Sequence, residues 1–325
     1  MFTFINKKHL IILITLISTT LFAENFNFSV PSTNISTPFA GGAPQITSDS
    51  SGRYVFAIWV DNTPEIQTAR SADFSQSWNS PANLGSGAFG LANASQITTD
   101  SSGKYVFAIW SDGTDIRTAR SDDFSQNWDS PLPITLGTGV QPQIVTDSSG
   151  RYVFTIWLDG NDIQTAGSND FGISWSFPPS LGSGAVDLSN LPQILTNSSG
   201  RYVFAMWQDS SFDTQTARSI DFGQTWSLTK KFISGAIPKI ATDSSGKYVF
   251  AIWITAGPLI ETARSDDFGQ NWSLIINFGP TDDPPQITAN STGRYVFPIW
   301  VNTDVLTSQG LRTFFPLNSV SISRN

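Results

Sequence analysis

The chain has 325 residues, 39% of them hydrophobic and 13% aromatic, with 18 basic against 26 acidic side chains for a formal charge of −8. An acidic, lysine-poor surface argues against nucleic acid and anionic membrane as partners. There is no cysteine, so disulfides are excluded and stability has to come from packing.

Residues 1–23 read as a signal peptide, because Lys7 and Lys8 precede an apolar run from Leu10 to Phe22 and small Ala23 sits where cleavage would fall. The run is short for a bilayer span. An uncleaved anchor is the alternative, since Leu21 is larger than the residue usual at its place. Cleavage removes His9, the single histidine, and leaves 16 basic against 26 acidic residues, a charge of −10. Residues 24–325 are then expected to form one domain that is secreted, periplasmic or at the cell surface, with no membrane insertion. Lacking Cys and His, it is expected to hold no Ser-His-Asp triad, no Cys nucleophile, no His- or Cys-based zinc site and no cofactor.

Further along, the phrase SGRYVFAIW at residues 51–59 returns with small changes, ending at Trp110, Trp157, Trp207, Trp253 and Trp300. Its glycines, from Gly52 to Gly293, are 51, 47, 50, 46 and 47 residues apart, a period that indicates blades, arrays or solenoids. A second phrase, SDDFSQNW at residues 121–128, has relatives at 71–78, 168–175, 219–226 and 265–272. In one unit, residues 143–146, 151–158 and 163–168 are β-prone runs separated by turns at 147–150 and 159–162, and the second phrase turns into a fourth run. Four short antiparallel strands per unit of about fifty residues predict a six-bladed, all-β propeller. The run from Tyr152 to Trp157 is apolar at nearly every position, as in a strand buried on both faces. All 11 tryptophans fall at repeated positions and are expected in the core. The sixth unit lacks the second phrase, so residues 24–40 are expected to add the outer strand of the last blade. Phe28 there takes the place of the phrase's Trp, and the tail at 314–322 is the competing candidate.

The phrase Ser-x-Asp-x-Gly-x-x-Trp resembles the Asp-box, or BNR repeat, of sialidase-like β-propellers, with five matches that span nearly all of residues 24–325. The resemblance implies a structural hairpin turn at each match. Those turns hold Ser71, Asp73 and Trp78; Ser121, Asp123 and Trp128; Ser168, Asp170, Gly172 and Trp175; Ser219, Asp221, Gly223 and Trp226; and Ser265, Asp267, Gly269 and Trp272. Ser and Asp oxygens can accept turn N–H groups, glycine supplies a positive φ, and Trp packs beneath. Ser75 and Ser125 replace the glycine in the first two turns, which are therefore expected to be strained or differently shaped. Sialidases of the family use three arginines, a Tyr–Glu pair and an Asp on different blades. Here the six tyrosines all begin the same strand, the glutamates are Glu24, Glu65 and Glu261, and Arg70, Arg120, Arg218 and Arg264 directly precede an Asp-box serine. No catalytic residue is nominated.

In the family's topology the Asp-boxes lie on one face and ligands bind on the other. There the turns carry paired acids, such as Asp112 with Asp115 and Asp159 with Asp162. These are either hairpin turn chemistry or groups for sugar hydroxyls, and a weak set for calcium. The residues starting the innermost strands, Gln45, Gln96, Gln143, Gln193, Lys239 and Gln286, predict five amides and one ammonium around the axis, as solvated strand ends or as a polar ligand site. The resulting expectation is an exported, non-catalytic propeller that binds glycans or a protein partner. The alternatives are a sialidase-like glycoside hydrolase working through two aspartates, and a protein-binding scaffold or assembly factor.

Overall fold

The structure, a computed structural model, describes residues 34–35, 41–90, 95–129, 133–184, 191–233, 235–273, 275–302, 304–308 and 310–311. The chain divides into two compact units, Met1–Asn34 and Ile35–Asn325, and all that follows concerns the second. The expected signal segment, residues 24–33 and the tail after Leu311 lie outside the described residues.

Six antiparallel sheets follow one another, each meandering in chain order. Sheet 1 holds Gly41–Ser48, Val55–Asp61, Glu65–Ser71 and Ala82–Ser86. Sheet 2 holds Gln96–Thr99, Val106–Ser111, Asp115–Ser121 and Ile134–Thr138. Sheet 3 is Val140–Thr146, Val153–Asp159, Asp162–Ser168 and Gly182–Ser183. Sheet 4 is Gln193–Thr196, Val203–Gln208, Thr214–Ser219 and Ser227–Phe232. Sheet 5 is Gly235–Thr242, Val249–Thr255, Leu259–Ser265 and Ile276–Pro280. Sheet 6 has Gln286–Ala289, Tyr295–Asn302 and Asp304–Thr307, with Gly310–Leu311 pairing further along the same side of Tyr295–Asn302. In sheet 6 the third strand is thus interrupted, and no described residue occupies the fourth-strand place.

The YVFxxW strands are the second of each sheet, and in sheets 1 to 5 their side chains on both faces are buried, as with Val153, Phe154, Thr155, Ile156, Trp157 and Leu158 of sheet 3. One face packs on the preceding sheet and the other on the following one, so the core is a series of layers between sheets. Each layer repeats one contact. An apolar residue of the fourth strand, or in sheet 3 the residue just before it, packs in one cluster with the next sheet's Trp: Leu84 with Trp110, Leu136 with Trp157, Leu181 with Trp207, Phe232 with Trp253, and Phe278 with Trp300. Ile35 packs against the sheet 1 cluster of Ala57, Trp59 and Ala69. The six strand tryptophans are buried, whereas Trp78, Trp128, Trp175, Trp226 and Trp272 are half-buried, so the second set lies nearer the surface than its repetition predicts.

Two more contacts join neighbours. Tyr54, Tyr105, Tyr152 and Tyr202 stack on Phe124, Phe171, Phe222 and Phe268 of the following sheet at 4.3–4.6 Å between ring centroids. A serine ladder also crosses the molecule. The Ser50 N–H and hydroxyl both donate to the Ser101 carbonyl, at 3.0 and 2.7 Å. Ser101 bonds Ser148 likewise, Ser148 bonds Ser198, the Ser198 N–H donates to Ser244, and Ser244 bonds Ser291.

Between sheets 6 and 1 these contacts are missing among the described residues. Ile46 is 66% exposed where its counterpart Ile97 is 8%, and Phe297 is 42% exposed where Phe154 is 1%.

Candidate functional site

Antiparallel meandering puts the first-to-second and third-to-fourth strand turns of each sheet at one end, and the second-to-third turns and intersheet connections at the other. At the first end lie the five Ser-x-Asp turns. In the third sheet the Ser168 hydroxyl donates to Asp170 Oδ1 at 2.8 Å and accepts the Gly172 N–H at 2.8 Å. Asp170 in turn accepts the Ser174 N–H at 2.9 Å and its hydroxyl at 2.6 Å. The residue before the Trp does the same work in every copy, as Ser77, Asn127, Ser174, Thr225 or Asn271. That donor escaped the sequence reading, although an unbroken run of Ser, Thr and Asn at one repeat position signals it. Hydrogen bonds from Ser77 and Ser71 hold Asp73 at about 2, against an ordinary 3.8. At Asp123, Asp170, Asp221 and Asp267, burial pushes the pKa up but the same hydrogen bonds outweigh it.

Two consecutive residues in each turn have positive φ, the geometry of a type I′ hairpin. They are Phe then Gly at 171–172, and Phe then Ser at 74–75 and 124–125, where Ser75 stands at φ 66° and Ser125 at 57°. The first two turns therefore keep the shape of the others and carry the strain of an L residue in the left-handed region. These residues, Asp73, Asp123, Asp170, Asp221 and Asp267 among them, are engaged in holding hairpins. At the same end, serines and threonines from all six sheets, with Asp100, Asp147 and Asp243, ring a polar basin of about 430 Å³. Its carboxylates are spent on their own turns: Asp147 accepts the Tyr152 N–H and the Ser149 hydroxyl.

At the other end most of the paired acids are also occupied. Asp112 accepts the Thr114 and Asp115 N–H groups and pairs with Arg117 at 2.8 Å, while Asp115 pairs with Arg117 at 3.0 Å. Burial pushes the Asp112 carboxyl pKa up, and these donors more than reverse it. Asp159 accepts the Thr138 hydroxyl at 2.9 Å; Asp162 faces it across a two-residue turn and is exposed. Asp209 is held by the Ser211 and Asp213 N–H groups and by Gln215, and Lys231 lies 2.6 Å from Asp213. Among the described residues no group of three or more His, Cys, Asp or Glu could hold a metal ion.

The innermost strands differ. Gln45, Gln96, Gln143, Gln193, Lys239 and Gln286 take one register position, opposite Ile58, Ile109, Ile156, Met206, Ile252 and Ile299. Opposed residues share a side of the sheet, so the first five point with their partners toward the following sheet, in whose packing layer each partner lies. The position starts the strand in sheets 2, 4 and 6, whereas in sheets 1, 3 and 5 the strand begins further back. Gln193 donates to the Leu191 and Pro192 carbonyls. The side-chain amides of Gln45, Gln96, Gln143 and Gln286 have no hydrogen-bond partner among the described residues. A separate cleft of about 330 Å³ at the rim, between Pro178 and Pro179 of sheet 3 and Trp226 and Leu228 of sheet 4, went unnoticed in the sequence. Its signal is the Phe177-Pro178-Pro179 departure from the repeat.

No known protein family matches the chain, and none of the curated proteins matches it. Solved structures resemble it in fold. The BP39L lectin of Burkholderia pseudomallei is similar with a TM-score of 0.60 and 13% identity, over 82% of this chain and 81% of the lectin. The GH74 enzyme of Niastella koreensis gives 0.53 and 13%, over 81% of this chain but 44% of the enzyme. A protein of unknown function from Dyadobacter fermentans gives 0.50 and 14%, over 84% and 95%. With its successive four-stranded antiparallel sheets, the chain is an all-β protein of β-propeller-like fold.

Proposed function

We propose that this is an exported, non-catalytic carbohydrate-binding propeller of the Asp-box type, and that its ligand sits at the end opposite the Ser-x-Asp turns. The observation that carries this is the set of unspent amides at one register position, Gln45, Gln96, Gln143 and Gln286. Half-buried or exposed side-chain amides with no protein partner suit the hydroxyls of a sugar, and similar clefts repeated around one molecule gain by multivalency. The fold likeness to a lectin supports the same ligand class. Asp112 and Asp115, both tied to Arg117, are poorly suited to a hydrolase.

The six sheets are read as six blades, with the N-terminal segment completing the last. Ile35 supports this, because it packs against the cluster that contains Trp59, as the fourth-strand residues pack in clusters with the other strand tryptophans. It follows Phe28 by seven residues, as Leu84 follows Trp78 by six and Leu136 follows Trp128 by eight.

Glycan-array screening of the protein, together with turnover assays on a fluorogenic sialoside and other aryl glycosides, tests the function. Saturable glycan binding without turnover is expected. Turnover abolished by one loop aspartate would replace this reading with a hydrolase, and silence in both assays would leave a protein-binding scaffold.

A further inference from the structure

A chain that copies one unit six times supplies its own controls, and the innermost strands hold one departure. Five copies place glutamine at the shared register position and sheet 5 places Lys239. An uncharged amide suffices five times over, so the strand itself does not require an ammonium there. Lys239 is opposite Ile252, whose packing layer includes Ile260 and Trp300, so it lies on the side of sheet 5 that meets sheet 6.

Among the described residues nothing pairs with it. The ion pairs among the described residues belong to Arg117, Arg120 and Lys231, and Lys239 has no carboxylate or hydrogen-bond partner there. Burial pushes its ammonium pKa down, with no acid pulling it back. Lys231 makes the contrast: Asp213 and Asp209 raise its pKa. A partly dehydrated cation without a counter-charge is unfavourable, and a bound anion removes the penalty. The exposed amide of Gln286 holds the equivalent register position on sheet 6.

We propose that Lys239 reads charge in the amide ring, so that the ligand bound there is an acidic saccharide, a sugar carrying a carboxylate or a sulfate. This rests on the carbohydrate-binding reading above and names its ligand class.

The test is an array of uronate-containing and sulfated glycans, each beside its neutral counterpart, followed by titration of the hits with the protein and with Lys239→Gln and Lys239→Arg. Acidic members should bind in preference to their neutral partners and weaken as salt is added. Lys239→Gln, which makes the sixth copy like the rest, should weaken them about tenfold or more, and Lys239→Arg should retain them. The uronate and sulfate arms tell the two anions apart. Neutral glycans bound as tightly as acidic ones, or acidic binding unchanged in Lys239→Gln, would overturn the proposal and leave carbohydrate binding standing. No glycan bound at all would overturn both. If Lys239→Gln lowers the melting temperature, the wild-type preference and its salt dependence still decide.

Discussion

The layer between sheets 3 and 4 and the place where sheets 6 and 1 would meet are made of the same residues in two conditions. In the first, Phe154 is buried among Ile163, Leu181 and Trp207, and Tyr152 stacks on Phe222 at 4.4 Å. In the second, the counterparts Phe297 and Phe74 are 42% and 60% exposed, and Ser291 ends the ladder that Ser50 begins. The difference teaches that each sheet carries a complete forward face and a complete backward face, and that the stability of both depends on a neighbour. Ile35 packs against the sheet 1 cluster that contains Trp59, the contact on which the proposed closure rests.

The largest test of that contrast is deletion of residues 24–40, which should abolish the cooperative melting transition; a truncated protein with an unchanged melting temperature rejects closure by this segment. Next come matched core truncations. Phe154→Ala should destabilise by about 3–5 kcal/mol, whereas Phe297→Ala should lose less than about 2 kcal/mol because part of its ring is already in water. Equal losses in denaturant unfolding would mean that the sixth layer packs like the other five.

A subtler pair lies in the hairpins. Phe222 and Phe74 both sit at φ 61°, strained for an aromatic residue, but only Phe222 has a stacking partner among the described residues. Phe222→Gly should destabilise by about 1–2 kcal/mol, and Phe74→Gly should be neutral or slightly stabilising. A matching loss at Phe74 would show that Tyr295 takes it up.

The smallest effect at neutral pH concerns the turn aspartates. Their folded-state pKa values lie below the ordinary 3.8, Asp73 at about 2. The stability they add is therefore complete above the ordinary carboxylate range and is lost as pH falls from about 4 toward 2. Asp73→Asn should lower the melting temperature slightly at pH 7, and the gap to wild type should close in that acid window. A gap unchanged down to pH 2 would mean that the Asp73 carboxylate adds nothing.

Much of the fold was legible because repetition averages out local ambiguity. The doubly apolar YVFxxW strand and the Ser-x-Asp turn each occur five or six times, and residues 153–158 are buried on both faces as their pattern implies. The half-buried turn tryptophans were not legible, since repetition reveals a shared environment without revealing its depth. Ile35 was missed for a related reason: one β-branched residue among Asn, Ser and Thr has no periodicity to betray it, and only its packing against the cluster of Trp59 gives it meaning. At the candidate site the sequence revealed the glutamine positions and their exception. It did not reveal that Arg117 already occupies Asp112 and Asp115: Asp115 and Arg117 share a face of one strand, but the reach to Asp112 depends on how the preceding turn folds back.

The serine ladder has a direction: at every step the earlier serine gives and the later one receives. A further copy of the fifty-residue unit, spliced between any two existing ones, would find both hands already extended to it. Gene duplication could therefore lengthen or shorten this protein without inventing a single new interface, and the number of copies is then set by how the two ends of the series meet rather than by how its members hold together.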